Sequence, residues 1–177
     1  NPKADSYANP LNPISRMFRG CSDDERYDLF LAANWSFIMS GAAGPTMRYP
    51  MGFFEDELHE TCRVLADFAA DVPWSTFVAR PAHDRIATDR PDLICTALSD
   101  GRLMIAWLYH NVSFKAREPI RPKVEFLGIT NRSSNVTWFD GRTGTILRTD
   151  QVQEPSPFSL QAPAFRGHVA CIVEPAR

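Results

Sequence analysis

Trp35-Ser-Phe-Ile-Met-Ser-Gly-Ala-Ala-Gly-Pro-Thr-Met-Arg-Tyr-Pro50 is the stretch on which the reading of the whole chain turns. A large apolar run ends in Ser40-Gly41-Ala42-Ala43-Gly44, and a short extended piece then presents Arg48 and Tyr49. Residues no larger than a methyl let a helix end and a second backbone come close. The piece after them reads as a buried strand whose last side chains reach open space. On its N-terminal side lies a lead-in helix. On its C-terminal side come one covering helix and then a different kind of chain.

The lead-in helix is marked at its start by Ser22-Asp23-Asp24-Glu25, a hydroxyl N-cap with Glu three residues on and acids at the positive helix end. It runs to about Ser40. Tyr27, Phe30, Leu31, Asn34, Trp35 and Ile38 follow helical spacing, while Leu29, Ala32, Ala33, Phe37 and Met39 fill the other faces. A helix apolar nearly all round is buried on most sides, and the neighbouring sequence offers too little to cover it. A second helix is expected over 55–70, with Leu58, Cys62, Leu65, Phe68 and Ala69 on one face and Asp56, Glu60, Arg63 and Asp67 on the other. Val72-Pro73-Trp74 stops it. Residues 23–78 therefore read as helix, strand, helix: a slice of an α/β repeat whose lone strand lacks a partner. Residues 1–22, with Pro2, Pro10 and Pro13, are irregular, and 79–91 is polar and reads as a linker.

After residue 91 the pattern changes to short strands. Leu93–Leu98 and Leu103–Tyr109 flank Asp100-Gly101, a favoured hairpin turn. Strands are also expected at 124–129, 136–139, 145–147, 158–160 and 169–173, with Asp140-Gly141-Arg142-Thr143-Gly144 as a turn. This spacing argues a small antiparallel β-sandwich over 92–177.

The 177 residues suffice for one domain or two small ones, and a net charge of −2 gives no electrostatic case for nucleic acid or an acidic membrane. No apolar run reaches the ~18 residues of a membrane span. The chain begins at Asn1 without Met, as a processed or trimmed product would. Of seven Asn, four (Asn34, Asn111, Asn131 and Asn135) head Asn-x-Ser/Thr triplets. Chance would supply about one, so the pattern favours a secreted glycoprotein. Asn34, inside the apolar helix, is the weakest acceptor; Asn131 and Asn135, in a Ser/Asn turn, are the best. The four cysteines, Cys21, Cys62, Cys95 and Cys171, include no C-x-x-C pair. Either all are thiols or two disulfides form, and Cys95 with Cys171 and Cys21 with Cys62 is one pairing.

No cofactor fingerprint, phosphate loop or nucleophile elbow is present, and His59, His83, His110 and His168 share no metal-ligand spacing. The acidic clusters 23–25 and 55–57 are explained as helix starts. No catalytic constellation stands out. Arg48 and Tyr49 are the best site candidates, because polar residues at the ends of barrel strands line active faces. Trp74 and Trp138 could stack on sugar rings, although a Trp in a sandwich is more often core.

Trp35-x-x-x-Met39-Ser-Gly-Ala-Ala-Gly44 followed by Tyr49-Pro50 resembles the last helix-to-strand passage of clan-A (β/α)8-barrel glycoside hydrolases. Residues 55–70, with Leu65-x-x-Phe68 and Val72-Pro73-Trp74, look like their closing helix. Val136-x-Trp138-Phe139-Asp140-x-x-Thr143-Gly144, then Phe158-x-Leu160-x-x-Pro163 and the strand to Glu174-Pro175, resemble the β-sandwich that follows such barrels. The resemblance implies α/β plus all-β: the C-terminal slice of a barrel over 1–78, then a sandwich. Clan-A enzymes carry their catalytic Glu residues at the ends of barrel strands four and seven, which would fall before residue 1. Retaining hydrolysis needs two carboxyls about 5 Å apart, and that pair is not in this chain. The expectation is therefore the C-terminal part of a secreted hydrolase of β-linked polysaccharide, separated by proteolytic processing from a companion polypeptide. Arg48 and Tyr49 would line the sugar site. The competing expectations are a non-enzymatic carbohydrate-binding or adhesion module, with aromatics aligned on one sandwich face, and a structural subunit.

Overall fold

The computed structural model describes residues 21–41, 59–112 and 117–176. Among these residues two helices, α1 (Asp23–Met39) and α2 (Glu60–Ala70), precede nine strands. The strands are β1 (Arg80–Pro81), β2 (Ile86–Thr88), β3 (Leu93–Ser99), β4 (Met104–His110), β5 (Lys123–Phe126), β6 (Ser134–Asp140), β7 (Ile146–Val152), β8 (Phe158–Gln161) and β9 (His168–Pro175). Six strands form one sheet in the order β1-β3-β4-β9-β6-β7, and three form a second, β2-β5-β8. All of these pairings are antiparallel.

The α1 boundaries are set by its ends. The Ser22 hydroxyl accepts from the Glu25 amide at 3.3 Å, and the Glu25 carboxylate accepts from the Ser22 amide at 2.7 Å, closing a capping box. At the far end Gly41, at φ +80°, takes the left-handed position and donates to the Ile38 carbonyl at 2.9 Å. Leu31, Trp35 and Met39, spaced by four, point at the large sheet. On another face Asn34 donates to the Thr61 hydroxyl of α2 at 2.9 Å, both side chains buried. Asn34 is thus closed off.

The large sheet is buried on both faces. Ala97, Met104, Ala106, Leu108, Val136, Trp138, Val169 and Cys171 pack inward against Ile86, Val124, Phe126 and Phe158 of the small sheet. Leu98, Ile105, Trp107, Phe139, Ala170 and Ile172 pack outward against α1 and α2. This explains why Met104–His110 and His168–Val173 are nearly continuous apolar runs rather than alternating ones: each central strand has a covered face on either side. The order of layers is helices, large sheet, small sheet.

Trp35 locks the first two layers. Its ring lies parallel to Trp107 of β4, with centroids 6.3 Å apart, and edge-on to Phe68 of α2 at 4.9 Å. Its Nε1 donates to the Gly141 carbonyl in the β6–β7 turn at 2.9 Å. That turn is held by the Asp140 carboxylate, which accepts from the amides of Arg142 and Thr143. Gly141 is needed at its place: a Cβ there would stand 2.6 Å from the Cβ of His168.

Three expectations change. One face of α1 is covered by this chain's own large sheet and α2: Leu31, Trp35 and Met39 are buried there and Phe30 nearly so, while Phe37 stays 40% exposed. The stretch 79–91 is no simple linker, since it carries β1, a 3-10 turn (His83–Arg85) and β2. Its polar composition misleads because β1 is an edge strand, where Pro81 is tolerated, and β2 buries only Ile86 fully. Finally, no disulfide joins the four cysteines. Cys95 on β3 and Cys171 on β9 are separated by β4, hence by roughly 10 Å across two strand spacings, more than a disulfide spans. Burial instead pushes the Cys95 thiol up to about 11. The strand expected near residues 45–50 and the start of the helix expected over 55–70 lie outside the described residues.

Replacing Trp35 with Ala removes the ring and its hydrogen bond together and is expected to cost about 3–5 kcal/mol. Urea unfolding measures it; a loss under ~1 kcal/mol would mean that α1 is not docked as described.

Candidate functional site

Arg48 and Tyr49, the sugar-site candidates of the sequence, lie outside the described residues. Of the two candidate stacking tryptophans, Trp138 is core: it is fully buried between the sheets and its Nε1 donates to the Asp150 carboxylate at 2.9 Å. Trp74 is 45% exposed. Its Nε1 donates to the Ala69 carbonyl at 2.8 Å, ending α2, and its ring leans on Phe77.

Among the described residues the densest chemistry is a buried polar cluster between α1 and the end of β4 and β9. Asp28 meets His168 Nε2 at 2.9 Å through one carboxylate oxygen and Arg117 Nη1 at 2.6 Å through the other. Arg117 also donates to the Tyr109 hydroxyl at 2.6 Å and to the Val112 carbonyl at 3.2 Å. Trp107 Nε1 donates to His168 Nδ1 at 3.3 Å. Since Nδ1 accepts, the proton of the neutral ring sits on Nε2 and is donated to Asp28. Gly167, at φ +84°, passes beneath, where a Cβ would come within 3.1 Å of Arg117 and 3.3 Å of Asp28.

Electrostatics follow from this geometry. Burial works to raise the pKa of Asp28, but the bonds from His168 and Arg117 outweigh it and hold the carboxyl below its ordinary range. Burial likewise lowers the pKa of His168, against the pull of Asp28. The cluster is a carboxylate, a guanidinium and a neutral imidazole, with no net charge. Asp28, Arg117 and His168 are all buried, and both ring nitrogens of His168 are engaged within the protein. Such a group pins a helix to a sheet. The sequence carried one signal for it: Asp28 lies between Tyr27 and Phe30-Leu31 on a helix apolar nearly all round, where an acid needs a partner.

A second cluster stands at the β3–β4 edge. Arg90 grips Asp92 through both carboxylate oxygens at 2.9 and 2.6 Å, and His110 Nε2 joins at 3.0 Å. The bonds from Arg90 hold Asp92 far below the carboxylate range. His83 accepts from the Ala97 amide at 3.1 Å, tying the 3-10 turn to β3. A shallow depression of about 250 Å³ on the small sheet is lined by Ala87, Thr88, Asp89, Lys123, Glu125 and Ser159, with no aromatic ring for a sugar to stack on.

The sequons are placed unequally. Asn111 is exposed at the end of β4. Asn131 is half-buried and its amide nitrogen donates to the Arg102 carbonyl at 2.8 Å. Asn135 lies not in a turn but within β6, between Gln151 of β7 and Glu174 of β9.

This arrangement of helices and sheets is one that solved glycoside hydrolases share over part of their length. A protein described as a glycoside hydrolase aligns over 88% of this chain with a TM-score of 0.56 and 16% identity. A glycoside hydrolase family 5 protein from Bacteroides vulgatus ATCC 8482 aligns over 85% with a TM-score of 0.59 and 13% identity. At such identities the likeness is one of fold. The chain spans 39% and 36% of the lengths of these two proteins. No family model and no curated protein matches the sequence.

The pKa directions fix the sign of a pH response. Unfolded His168 takes a proton near its ordinary pKa of about 6.5, while the folded ring resists it, so stability falls as pH drops below ~6.5. Asp28 adds a second loss at lower pH, as protonation near and below ~4 breaks its bonds. Urea midpoints at several pH values are expected to be flat above ~7 and to decline below; His168→Gln should remove the slope between about pH 7 and 5. Asp28→Asn leaves Arg117 buried without its counter-charge and is expected to cost about 3–5 kcal/mol.

Proposed function

We propose that this chain is the C-terminal portion of a secreted glycoside hydrolase acting on a β-linked polysaccharide, with the catalytic Glu pair in sequence outside it. The observation that carries the reading is the shared fold: most of this chain overlays on glycoside hydrolases of which it spans little more than a third. Three sequence features add support: the Gly-Ala-Ala-Gly passage, the sandwich motif around Trp138, and the sequon enrichment. In this reading 1–78 is the terminal segment of a (β/α)8 barrel, 92–177 is its accessory sandwich, and Arg48 and Tyr49 line the sugar site. A companion polypeptide, or a longer form of this one, supplies the rest of the barrel. Asn111 is the most open glycan acceptor of Asn111, Asn131 and Asn135.

The alternative, a carbohydrate-binding or adhesion module, needs an aromatic platform on a sandwich face. Among the described residues the sandwich tryptophans Trp107 and Trp138 are buried, which counts against it.

Reducing-sugar release from β-linked polysaccharides separates the two. The 177-residue chain alone is expected to release nothing, and the native enzyme carrying it is expected to be active. In that enzyme Arg48→Ala and Tyr49→Phe should lower kcat/KM by roughly 10- to 100-fold. Retention of the isolated chain on insoluble polysaccharide, with no hydrolysis by the native protein, would overturn the proposal.

A further inference from the structure

Most arginines among the described residues stand against a carboxylate, such as Arg63 with Glu60 and Asp67, Arg90 with Asp92, and Arg142 with Asp24. Arg80, Arg85, Arg102 and Arg132 do not: all four are exposed, and their guanidinium groups make no ion pair and no hydrogen bond. The fold brings these four to one end of the sandwich. Arg80 of β1 stands opposite Ser99 at the end of β3, and Arg102 lies in the turn from β3 to β4. The stretch after β5 leans on that turn. The Thr130 amide and hydroxyl both donate to the Gly101 carbonyl, at 2.8 and 3.0 Å, and the Asn131 amide nitrogen donates to the Arg102 carbonyl at 2.8 Å. Arg132 follows directly. Arg85 lies along the same stretch: a Cβ on Gly128 would stand 3.1 Å from its Cδ and 3.3 Å from its guanidinium, so the missing side chain makes room for it.

The acids at this end do not neutralise the group. Asp100 spends one carboxylate oxygen on the amides of Arg102 and Leu103, both at 2.8 Å. Neither Asp84, beside Arg85, nor Glu154 and Glu174, at the ends of the neighbouring strands, forms an ion pair with any of the four. Gathering like charges without partners gives the fold nothing and costs some repulsion. It suits an external anion. The guanidinium is a planar fork that matches a carboxylate or sulfate through two parallel bonds. Phe77 and Phe126, the aromatic residues next to these segments in sequence, are buried, so recognition here is by charge and not by stacking.

We propose that this arginine-lined end of the sandwich binds the acidic groups of a polysaccharide, uronate carboxylates or sulfates. The choice of a polysaccharide among polyanions rests on the hydrolase reading; the arginine cluster itself does not. Because the whole chain carries a net charge of −2, the attraction is local and short-ranged.

Biolayer interferometry of the 177-residue chain on immobilised polymers tests this. Polymannuronate presents carboxylates, cellulose sulfate presents sulfates, and hydroxyethylcellulose presents neither. Binding is expected to one or both of the acidic polymers, which tells carboxylate from sulfate, and not to the neutral one. It should weaken by about tenfold or more between ~50 and ~500 mM salt. Arg80→Gln, Arg102→Gln and Arg132→Gln remove side chains with no partner in the fold, so thermal unfolding should not change. Each should weaken binding by about threefold, and the three together by about 20-fold or more. Arg102→Lys, which keeps the charge, should retain most of the binding. Arg121→Gln, an equally unpaired arginine at the opposite end of the sandwich, should bind as wild type. No binding to either acidic polymer, a triple variant that binds like wild type, an equal loss in Arg121→Gln, or equally tight binding to single-stranded DNA would each overturn the proposal. The two readings fail separately. Hydrolysis by the native enzyme without retention of the chain on acidic polymer overturns the arginine site alone. Retention lost in the triple variant, with no hydrolysis by the native protein, upholds the site and overturns the hydrolase.

Discussion

The packing of Trp35 is the contact on which the layering of this protein depends. One side chain touches α2 through Phe68 and β4 through Trp107, and reaches the β6–β7 turn through the Gly141 carbonyl. Close approach at that turn is possible only because residue 141 has no side chain. With the helices held there, the outer face of the large sheet is closed, and β4 and β9 become apolar on both sides. The hydrophobic effect supplies most of the stabilisation, and the indole hydrogen bond fixes where the helix stops sliding.

A buried polar group gives the same joint its chemical specificity. Asp28, Arg117 and His168 satisfy one another in a closed space, so α1 can dock in one rotational setting without stranding a charge. Arg117 comes after β4 in the chain and His168 opens β9, so the cluster draws three distant parts of the sequence to one point. Among the described residues it acts as a fastening between α1 and the large sheet. Both imidazole nitrogens of His168 are engaged internally and the side chains are buried.

Much of this was legible in residues. Ser22 and Glu25 marked the start of α1 and Gly41 its end; Asp100-Gly101 and Asp140–Gly144 marked two turns; seven of the nine strands were read near their observed places. The shortfalls have physical causes. β1 and β2 are too short and too polar to show a period. The apolarity of α1 implied a partner, and for the face carrying Trp35 that partner is the large sheet, joined by contacts far away in sequence, such as Trp35 with Trp107 and Gly141. Long-range pairing of this kind leaves no local pattern. The ion cluster was invisible for the same reason, although a lone Asp in an apolar helix hinted at it. The candidate sugar residues Arg48 and Tyr49 fall outside the described residues, so their role rests on the sequence resemblance alone.

Helices and sandwich, joined through Trp35 and the Asp28 cluster, should behave as one cooperative unit. Native-state hydrogen exchange of the chain addresses this most directly. Amides of α1 around Leu31–Trp35 should exchange with the same free energy of opening as those of β4 and β9, because the helix cannot leave without exposing the sheet. Exchange of α1 through a much cheaper local opening, with β4 and β9 still protected, would contradict it.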